Sequence, residues 1–261
     1  MTLRFQKFQA TGNDFVALEH SPTELSEAQR RLICDRHFGI GADGMIHLEA
    51  LSLVSSHRTG IFRLGYWNAD GRPGTFCGNG ARAAAYLAYQ RWGVKGMVFL
   101  ASDGAHEAYV LQVSPPLIAV QLTLHQPPRL VSENAWFVHT GSPHLMIEKS
   151  AEELETLPIN EIAPPLRWER KYDPEGVNVS FFASQEDGSW ALRTYERGVE
   201  AETLSCGTAC IALAAIQAAS ETFIQTRGGR LIVQRRSSDT FWLIGPTELT
   251  LTGEYHGLMT P

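Results

Sequence analysis

Apolar and polar residues alternate over several short stretches: Phe62, Leu64 and Tyr66; Ile118, Val120, Leu122 and Leu124; Trp136 and Val138; Trp190, Leu192 and Thr194. Successive side chains of a strand point to opposite faces, so this period predicts strands with one buried face. Helical spacing is rarer. One helix is predicted from about Ser26, where Ser26 and Gln29 match a capping box, to His37, with Gly39 just past its end. Two more, 81–92 closed by Gly93 and 208–219, are apolar on nearly every face, and a helix without a polar face must be buried. Many strands around a few buried helices, with no regular strand-helix-strand alternation, predict an α+β fold rather than a doubly wound sheet. Pro115-Pro116, Pro127-Pro128 and Pro164-Pro165 read as turns or short linkers.

The pattern also repeats. At an offset of 129 residues Cys77-Gly78 falls on Cys206-Gly207, Tyr66 on Tyr195, and Ala83 and Ala85 on Ala212 and Ala214. The same offset places Thr11-Gly12-Asn13-Asp14-Phe15 on Thr140-Gly141-Ser142-Pro143-His144. Separated segments in one register predict a duplicated half, each with a strand, then Cys-Gly, then a buried helix. The expected halves are 1–116, joined by the C-terminal segment from about 253 and carrying Cys77, and 117–252, carrying Cys206.

The 261 residues suffice for two such halves, each with its own core. There are 22 Lys and Arg against 28 Asp and Glu, for a net charge of −6, and no basic cluster. That gives no footprint for nucleic acid or an anionic membrane surface. No run approaches the roughly 18 apolar residues of a membrane span, and Met1 to Gly12 does not read as a signal segment. The expectation is a soluble, cytoplasmic protein. Four cysteines, Cys34, Cys77, Cys206 and Cys210, are too few for a disulfide scaffold.

Cys77 and Cys206 each stand immediately before a predicted helix. Helix N-termini present unpaired N–H groups and partial positive charge, which stabilise thiolates and bind carboxylates. The following Gly78 and Gly207 let a ligand approach the backbone. Duplication suggests two such helix ends facing each other across a cleft, with one sulfur on each side. That arrangement suits a racemase, which needs a base on one face of a carbon, an acid on the other, and fixed donors for the developing charge. Half-ionising a free cysteine at pH 7 takes roughly 2 kcal/mol, and a helix end supplies about 0.3–2 kcal/mol. A second thiolate beside the first is opposed by it, so the pair should share one proton. No cofactor is called for: pyridoxal phosphate would need a lysine, and Lys7, Lys95, Lys149 and Lys171 lack a Gly-rich phosphate-binding context. Cys206 and Cys210 lack a second pair of ligands for zinc, so no metal is expected. Cys34 and Cys210 read as small buried apolar residues, and His37, His47, His106 and His139 as structural.

Seven segments in order, Gly12-Asn13-Asp14-Phe15, Gly39-Ile40-Gly41-Ala42-Asp43-Gly44, Asn68-Ala69-Asp70-Gly71, Cys77-Gly78-Asn79-Gly80-Ala81-Arg82, Val177-Asn178, Tyr195-Glu196-Arg197-Gly198 and Glu202-Thr203-Leu204-Ser205-Cys206-Gly207-Thr208, together resemble the diaminopimelate epimerase family. The resemblance implies pyridoxal-independent interconversion of LL- and meso-diaminopimelate, on the route to lysine and peptidoglycan. It implies two similar domains, each a curled, mostly antiparallel, barrel-like sheet around a central helix, in a homodimer. Cys77 and Cys206 correspond to its acid/base thiols. The backbone of Gly78, Asn79, Gly207 and Thr208 corresponds to the cradle of the reacting carboxylate. Asn13, Asn68, Asn178 and Arg197 correspond to residues that read the amino acid, mainly its distal end. His144 and Glu196 correspond to polar neighbours that tune the thiols, Glu196 also contacting substrate. Tyr255 corresponds to a tyrosine at the dimer contact. Gly44, Ser142 and Ala209 depart from residues common at their positions.

Other readings are a two-thiol racemase of proline, hydroxyproline or histidine, a thiol-disulfide oxidoreductase, and a silent amino-acid binder. The absence of a Cys-X-X-Cys pair disfavours the oxidoreductase. Asn79 together with Asn178 and Arg197 favours a long substrate with a second amino-acid head.

Overall fold

The computed structural model describes residues 2–19, 21–54, 59–172 and 174–257, with the backbone alone at Val54. The chain divides into two compact units, Met1–Val120 with Pro246–Pro261, and Gln121–Gly245. The first contains β1 (Leu3–Ala10), β2 (Asn13–Leu18), α1 (Glu27–Cys34), β3 (Gly44–Val54), β4 (Thr59–Asn68), α2 (Gly78–Trp92), β5 (Gly96–Ala101), β6 (Gly104–Val113) and the start of β7 (Pro116–Thr123). The second contains β8 (Gln126–Ser132), β9 (Ala135–His139), β10 (Pro143–Glu148), α3 (Ala151–Thr156), α4 (Ile159–Arg167), β11 (Asn178–Ser184) and β12 (Trp190–Glu196). It continues through β13 (Ala201–Thr203), α5 (Gly207–Gln217), β14 (Glu221–Thr226), β15 (Gly229–Arg235) and β16 (Thr240–Pro246), after which β17 (Glu248–Tyr255) returns to the first unit.

Within the first unit the strands pair in the order β17-β1-β2-β3-β4-β5-β6-β7, antiparallel except for β2 with β3 and β4 with β5. Within the second the order is β8-β9-β10-β11-β12-β14-β15-β16, antiparallel except for β10 with β11 and β12 with β14. Apart from β13, which pairs antiparallel with β12 and has no counterpart among the named strands of the first unit, order and direction repeat strand for strand. A parallel step needs a crossover, and α2 and α5 are the crossovers of the second parallel step in each unit. The N-terminus of α2 at Gly78 and that of α5 at Gly207 carry the offset of 129 seen in the sequence.

Each crossover helix is buried because its own sheet curls around it. α2 packs on β1, β2, β3, β4 and β6, and α5 on β8, β9, β10, β11, β14 and β15. Small side chains permit the close approach: Ala81, Ala83, Ala84, Ala85 and Ala88 in α2, and Ala209, Ala212 and Ala214 in α5, are buried. One large polar group shares that interior. Arg82 is fully buried, and its Nη2 donates to Thr11 Oγ1 at 2.9 Å. That bond ties α2 to the turn that carries Asn13.

The α+β class with curled, mostly antiparallel sheets agrees with the sequence reading; several local expectations do not. The helix α1 stops at Cys34, not His37, because Asp35 Oδ1 accepts from His37 and Phe38 N–H while Ile40 and Gly41 N–H turn back to Ile33 O. Pro164-Pro165 is not a linker: both lie inside α4. Proline removes ladder donors there, but Ile159 and Ala163 are buried with Leu154, Val179 and Phe181, so packing holds the short helix. Pro127-Pro128 lies within β8 where the register with β9 slips between Gln126 and Arg129, a bulge that tolerates a missing donor. The α3 helix was not anticipated, although Ser150 and Glu153 form a capping box in front of it.

Candidate active site

In the first unit, Asn13 opens β2, Asn68 ends β4, and Cys77 is the N-cap of α2. The thiol of Cys77 faces Asn13 Oδ1 at 3.7 Å, and its Sγ accepts from the N–H of Gly80 at 3.4 Å. Asn79 Nδ2 donates to the same Asn13 oxygen at 3.5 Å. Asn13, Cys77 and Asn79 are thus one cluster, with the N–H groups of the first α2 turn beside it. Asn13 lies beside the Cys77 thiol. Asn68 is exposed, and its backbone holds the turn to Arg72. It pairs in register with Gly44. A Cβ on Gly44 would fall 2.8 Å from the Tyr66 ring and 2.7 Å from Trp67 O, so the Tyr66 ring fills the room a side chain would need. Tyr66 also lines a small apolar hollow beside Cys77 with Ile46, Leu64, Phe76 and Ala101.

Behind Asn13 stands a charged network. Asn13 Nδ2 donates to Asp43 Oδ2 at 2.7 Å. Arg36 bridges Asp14, at 3.0 and 2.8 Å, to Asp43 Oδ1, at 2.7 Å, and Lys7 reaches Asp14 at 2.9 Å. Burial alone would raise the Asp14 pKa, but hydrogen bonds from Arg36, Lys7 and the Asp43 N–H hold it at about 2. Cys34 lies beyond this network, and burial followed by the charges of Asp14 and Asp43 pushes its thiol up to about 12, consistent with a structural residue.

In the second unit, Cys206 is the N-cap of α5 and is buried. Its Sγ lies 3.4 Å from Thr208 Oγ1, which lies 3.0 Å from His144 Nε2 on β10. Burial, then the Glu196 carboxylate, pushes the Cys206 thiol well above its ordinary range; a helix end stabilises a thiolate less than this burial opposes it. Both effects favour the neutral thiol at Cys206. His144 is completely buried and its pKa falls to about 3, through desolvation and the nearby His139 and Arg197. It is a neutral imidazole that orients Thr208, not a cation. Glu196 accepts from Thr203 Oγ1 at 2.5 Å.

Asn178 is occupied by the protein itself. Its Nδ2 donates to Ser142 Oγ at 2.7 Å and Pro143 O at 3.0 Å, and its Oδ1 accepts from Arg197 N–H at 2.8 Å. Ser142 thus serves as a partner that fixes this amide. The Arg197 guanidinium, about a quarter exposed, pairs through Nη1 with Glu175.

The residues that hold these groups in place lie outside the site set predicted from the sequence. Asp14 and Asp43 stood in recognised segments without a role. Arg167 and Glu200 gave no signal: the buried Arg167 donates to Glu200 Oε1 at 3.0 Å through Nε and 2.8 Å through Nη2, and to Glu175 O at 2.8 Å. Glu200 Oε1 also accepts from Gly198 N–H at 3.0 Å, closing the turn that carries Arg197. Arg193 grips Glu202 at 2.7 and 2.8 Å, which steadies β13 just before Cys206. Among the described residues no group of three or more His, Cys, Asp or Glu could hold a metal ion, and no helix is long and apolar enough to cross a membrane.

Residues 5–112 match the family model described as diaminopimelate epimerase. A protein of Hydrogenobaculum sp. (strain Y04AAS1) named diaminopimelate epimerase is 33% identical over 273 aligned positions, covering 95% of this chain and 96% of that one. Among solved structures, a phenazine biosynthesis protein of the PhzF family from Bacillus anthracis superposes with a TM-score of 0.74 at 14% identity, over 97% of this chain and 99% of that one. A hydroxyproline epimerase from Agrobacterium vitis, with bound trans-4-hydroxy-L-proline, has a TM-score of 0.68 at 10% identity over 97% and 92% of the two chains. At those identities the two structures show likeness of fold alone.

Proposed function

This chain belongs to the diaminopimelate epimerase family, and on that premise we propose that it interconverts LL- and meso-diaminopimelate with Cys77 and Cys206 as the acid/base pair. The observation that carries the reading is that both thiols cap the buried crossover helix of a repeated fold unit. Each has polar partners on its sulfur. Two-thiol epimerisation requires these sulfurs to reach opposite faces of one α-carbon. In one direction a Cys77 thiolate takes the α-proton and the neutral Cys206 thiol gives its proton to the other face; in the reverse direction the roles exchange. Proton count and charge are the same after each turnover, apart from which sulfur holds the proton.

The carbanion's charge moves into the adjacent carboxylate. Backbone N–H groups of Gly78 and Asn79, and of Gly207 and Thr208, are the donors assigned to it, fixed in direction before the charge develops. The chemistry calls for no cofactor. Glu196, near the thiol of Cys206, is assigned to the reacting ammonium, whose positive charge would offset the influence of Glu196 on that thiol. Arg197 is assigned to the distal carboxylate, which a guanidinium fork can bind on an edge left open by Glu175. Asn178 acts here by fixing the Arg197 backbone, and Asn68 lies in the recognition set as an exposed amide. A racemase of proline or another short amino acid would leave Arg197 without a partner in its substrate. The same reading places the enzyme in the cytoplasm, at the step before lysine and peptidoglycan cross-linking. It also makes the enzyme a homodimer, with Tyr255 and the neighbouring exposed Phe38 as contact residues.

The test is turnover of purified C77S and C206S on LL-diaminopimelate, because serine keeps the shape but is a far weaker base near neutrality. The reading expects each variant to lose at least about a thousandfold in kcat while retaining substrate affinity. Full activity in either would refute it.

A further inference from the structure

Beyond the thiols and the substrate-reading residues, we propose that Asp43 is a positioning residue, holding the Asn13 amide so that its oxygen, not its nitrogen, faces the Cys77 sulfur. The inference rests on the reading of Cys77 as a catalytic thiol. An amide has a donor end and an acceptor end of almost equal shape, so the partners decide its orientation. An ionised carboxylate can only accept. With Asp43 Oδ2 2.7 Å from one end of Asn13, that end must be the NH2 group. The oxygen is then the atom 3.7 Å from Cys77 Sγ and 3.5 Å from Asn79 Nδ2. Flipping the amide would press its oxygen against a carboxylate and its NH2 against that of Asn79.

Asp43 is itself fixed. Arg36 grips Oδ1 at 2.7 Å, the Asp14 N–H donates to Oδ2 at 3.2 Å, and the Asp43 N–H donates back to Asp14 Oδ1 at 2.9 Å. Lys7 from β1 completes the set on Asp14. The titratable and charged groups around this corner are Lys7 on β1, Asp14 on β2, Cys34 at the end of α1, Arg36 beyond it, Asp43 before β3, Tyr66 on β4 and Asp70 just after β4.

The consequence lies at the sulfur. The Asn13 oxygen accepts a hydrogen bond from the thiol and repels a thiolate, whereas the Gly80 N–H at 3.4 Å favours the thiolate. Cys77 therefore has a partner in each protonation state. A group that must take a proton in one direction and give one in the other needs that balance, and Asp43 is what keeps the amide on its acceptor side.

The experiment is the pH dependence of Cys77 alkylation by iodoacetamide, read at the Cys77 peptide by mass spectrometry, in wild type, D43N, N13L and D43N/N13L. In D43N the new amide can donate, Asn13 can turn its NH2 toward sulfur, and the Cys77 apparent pKa should fall by about one unit. Removing a negative charge also lowers it, and the double variant separates the two effects. If Asp43 acts through Asn13, most of the D43N shift disappears in the N13L background. A D43N shift below about 0.2 units, or one retained in full with N13L, overturns the proposal. Should D43N fold poorly, D43S, whose hydroxyl can also donate to a turned amide, replaces it with the same expected outcomes. Absence of wild-type turnover on diaminopimelate would refute the function proposed above, but would leave the alkylation result to decide this one.

Discussion

Glu200→Gln tests how the distal-carboxylate residue is held. Arg167 is 3% exposed and Glu200 41%. Their link comprises contacts from Nε to both carboxylate oxygens at 3.0 and 3.1 Å and from Nη2 at 2.8 Å. The guanidinium also lies 4.0 Å from the Trp168 ring centroid and packs on the bare Cα of Gly176, where a Cβ would come within 2.1 Å of Nη1. Arg167 cannot move out to water without dismantling that packing. Removing one partner of a buried pair costs about 3–5 kcal/mol. Glu200 is partly exposed and glutamine keeps one acceptor, so about 1–3 kcal/mol is expected here. Urea unfolding followed by tryptophan fluorescence measures the loss. Because the turn closed by Glu200 carries Arg197, KM for diaminopimelate should rise about tenfold with a smaller change in kcat. Hydrogen bonds from Arg167 hold the Glu200 carboxyl below its ordinary pKa. Its stabilisation is thus present above the usual carboxylate range and lost as pH falls through the lowered value, so the gap between wild type and E200Q should close in acid. A loss under about 0.5 kcal/mol with unchanged KM would refute the claim that this pair organises the turn.

The Asp14 carboxyl, held at about 2 against an ordinary 3.8, contributes about 2 kcal/mol to folding above roughly pH 4, and the contribution is lost as pH falls toward 2. D14N should accordingly be less stable than wild type at pH 7 and nearly equal to it at pH 2; a gap independent of pH would contradict this. Glu196→Gln removes a charge that helps to hold the Cys206 thiol up, so the pH at which Cys206 reacts with iodoacetamide should fall, and an unchanged profile would show that Glu196 does not act on this sulfur.

The parts of the fold written in periodicity were legible. The buried helices announced themselves by lacking a polar face, and the shared register of Cys77 and Cys206 pointed to strand orders that repeat between the units. What escaped were features set by tertiary contact. The α4 helix contains Pro164 and Pro165, which argue against a helix locally, and exists because Ile159 and Ala163 are buried against β11 neighbours such as Val179 and Phe181. The end of α1 is fixed by one oxygen of Asp35, which competes with the helix only once the chain turns toward Gly39. Among the site residues, Cys77, Asn13 and Asn79 do come together, and so do Cys206, Thr208 and His144. The neutral state of His144 and the internal employment of Asn178 were not readable, because both follow from burial and partners far away in the chain. Arg167 and Glu200, 33 residues apart, meet only when α4 and the turn after β12 are in place.

The central claim, that two different thiols serve the two faces of one carbon, is tested most directly by running LL-diaminopimelate to partial conversion in deuterium oxide. The account predicts deuterium at the inverted α-carbon of the meso product and almost none in the LL-substrate recovered at low conversion. A proton removed by one sulfur exchanges with solvent at that sulfur, while the product receives deuterium from the other. Deuterium entering recovered substrate as fast as product forms would mean that one group serves both faces, and would contradict the account.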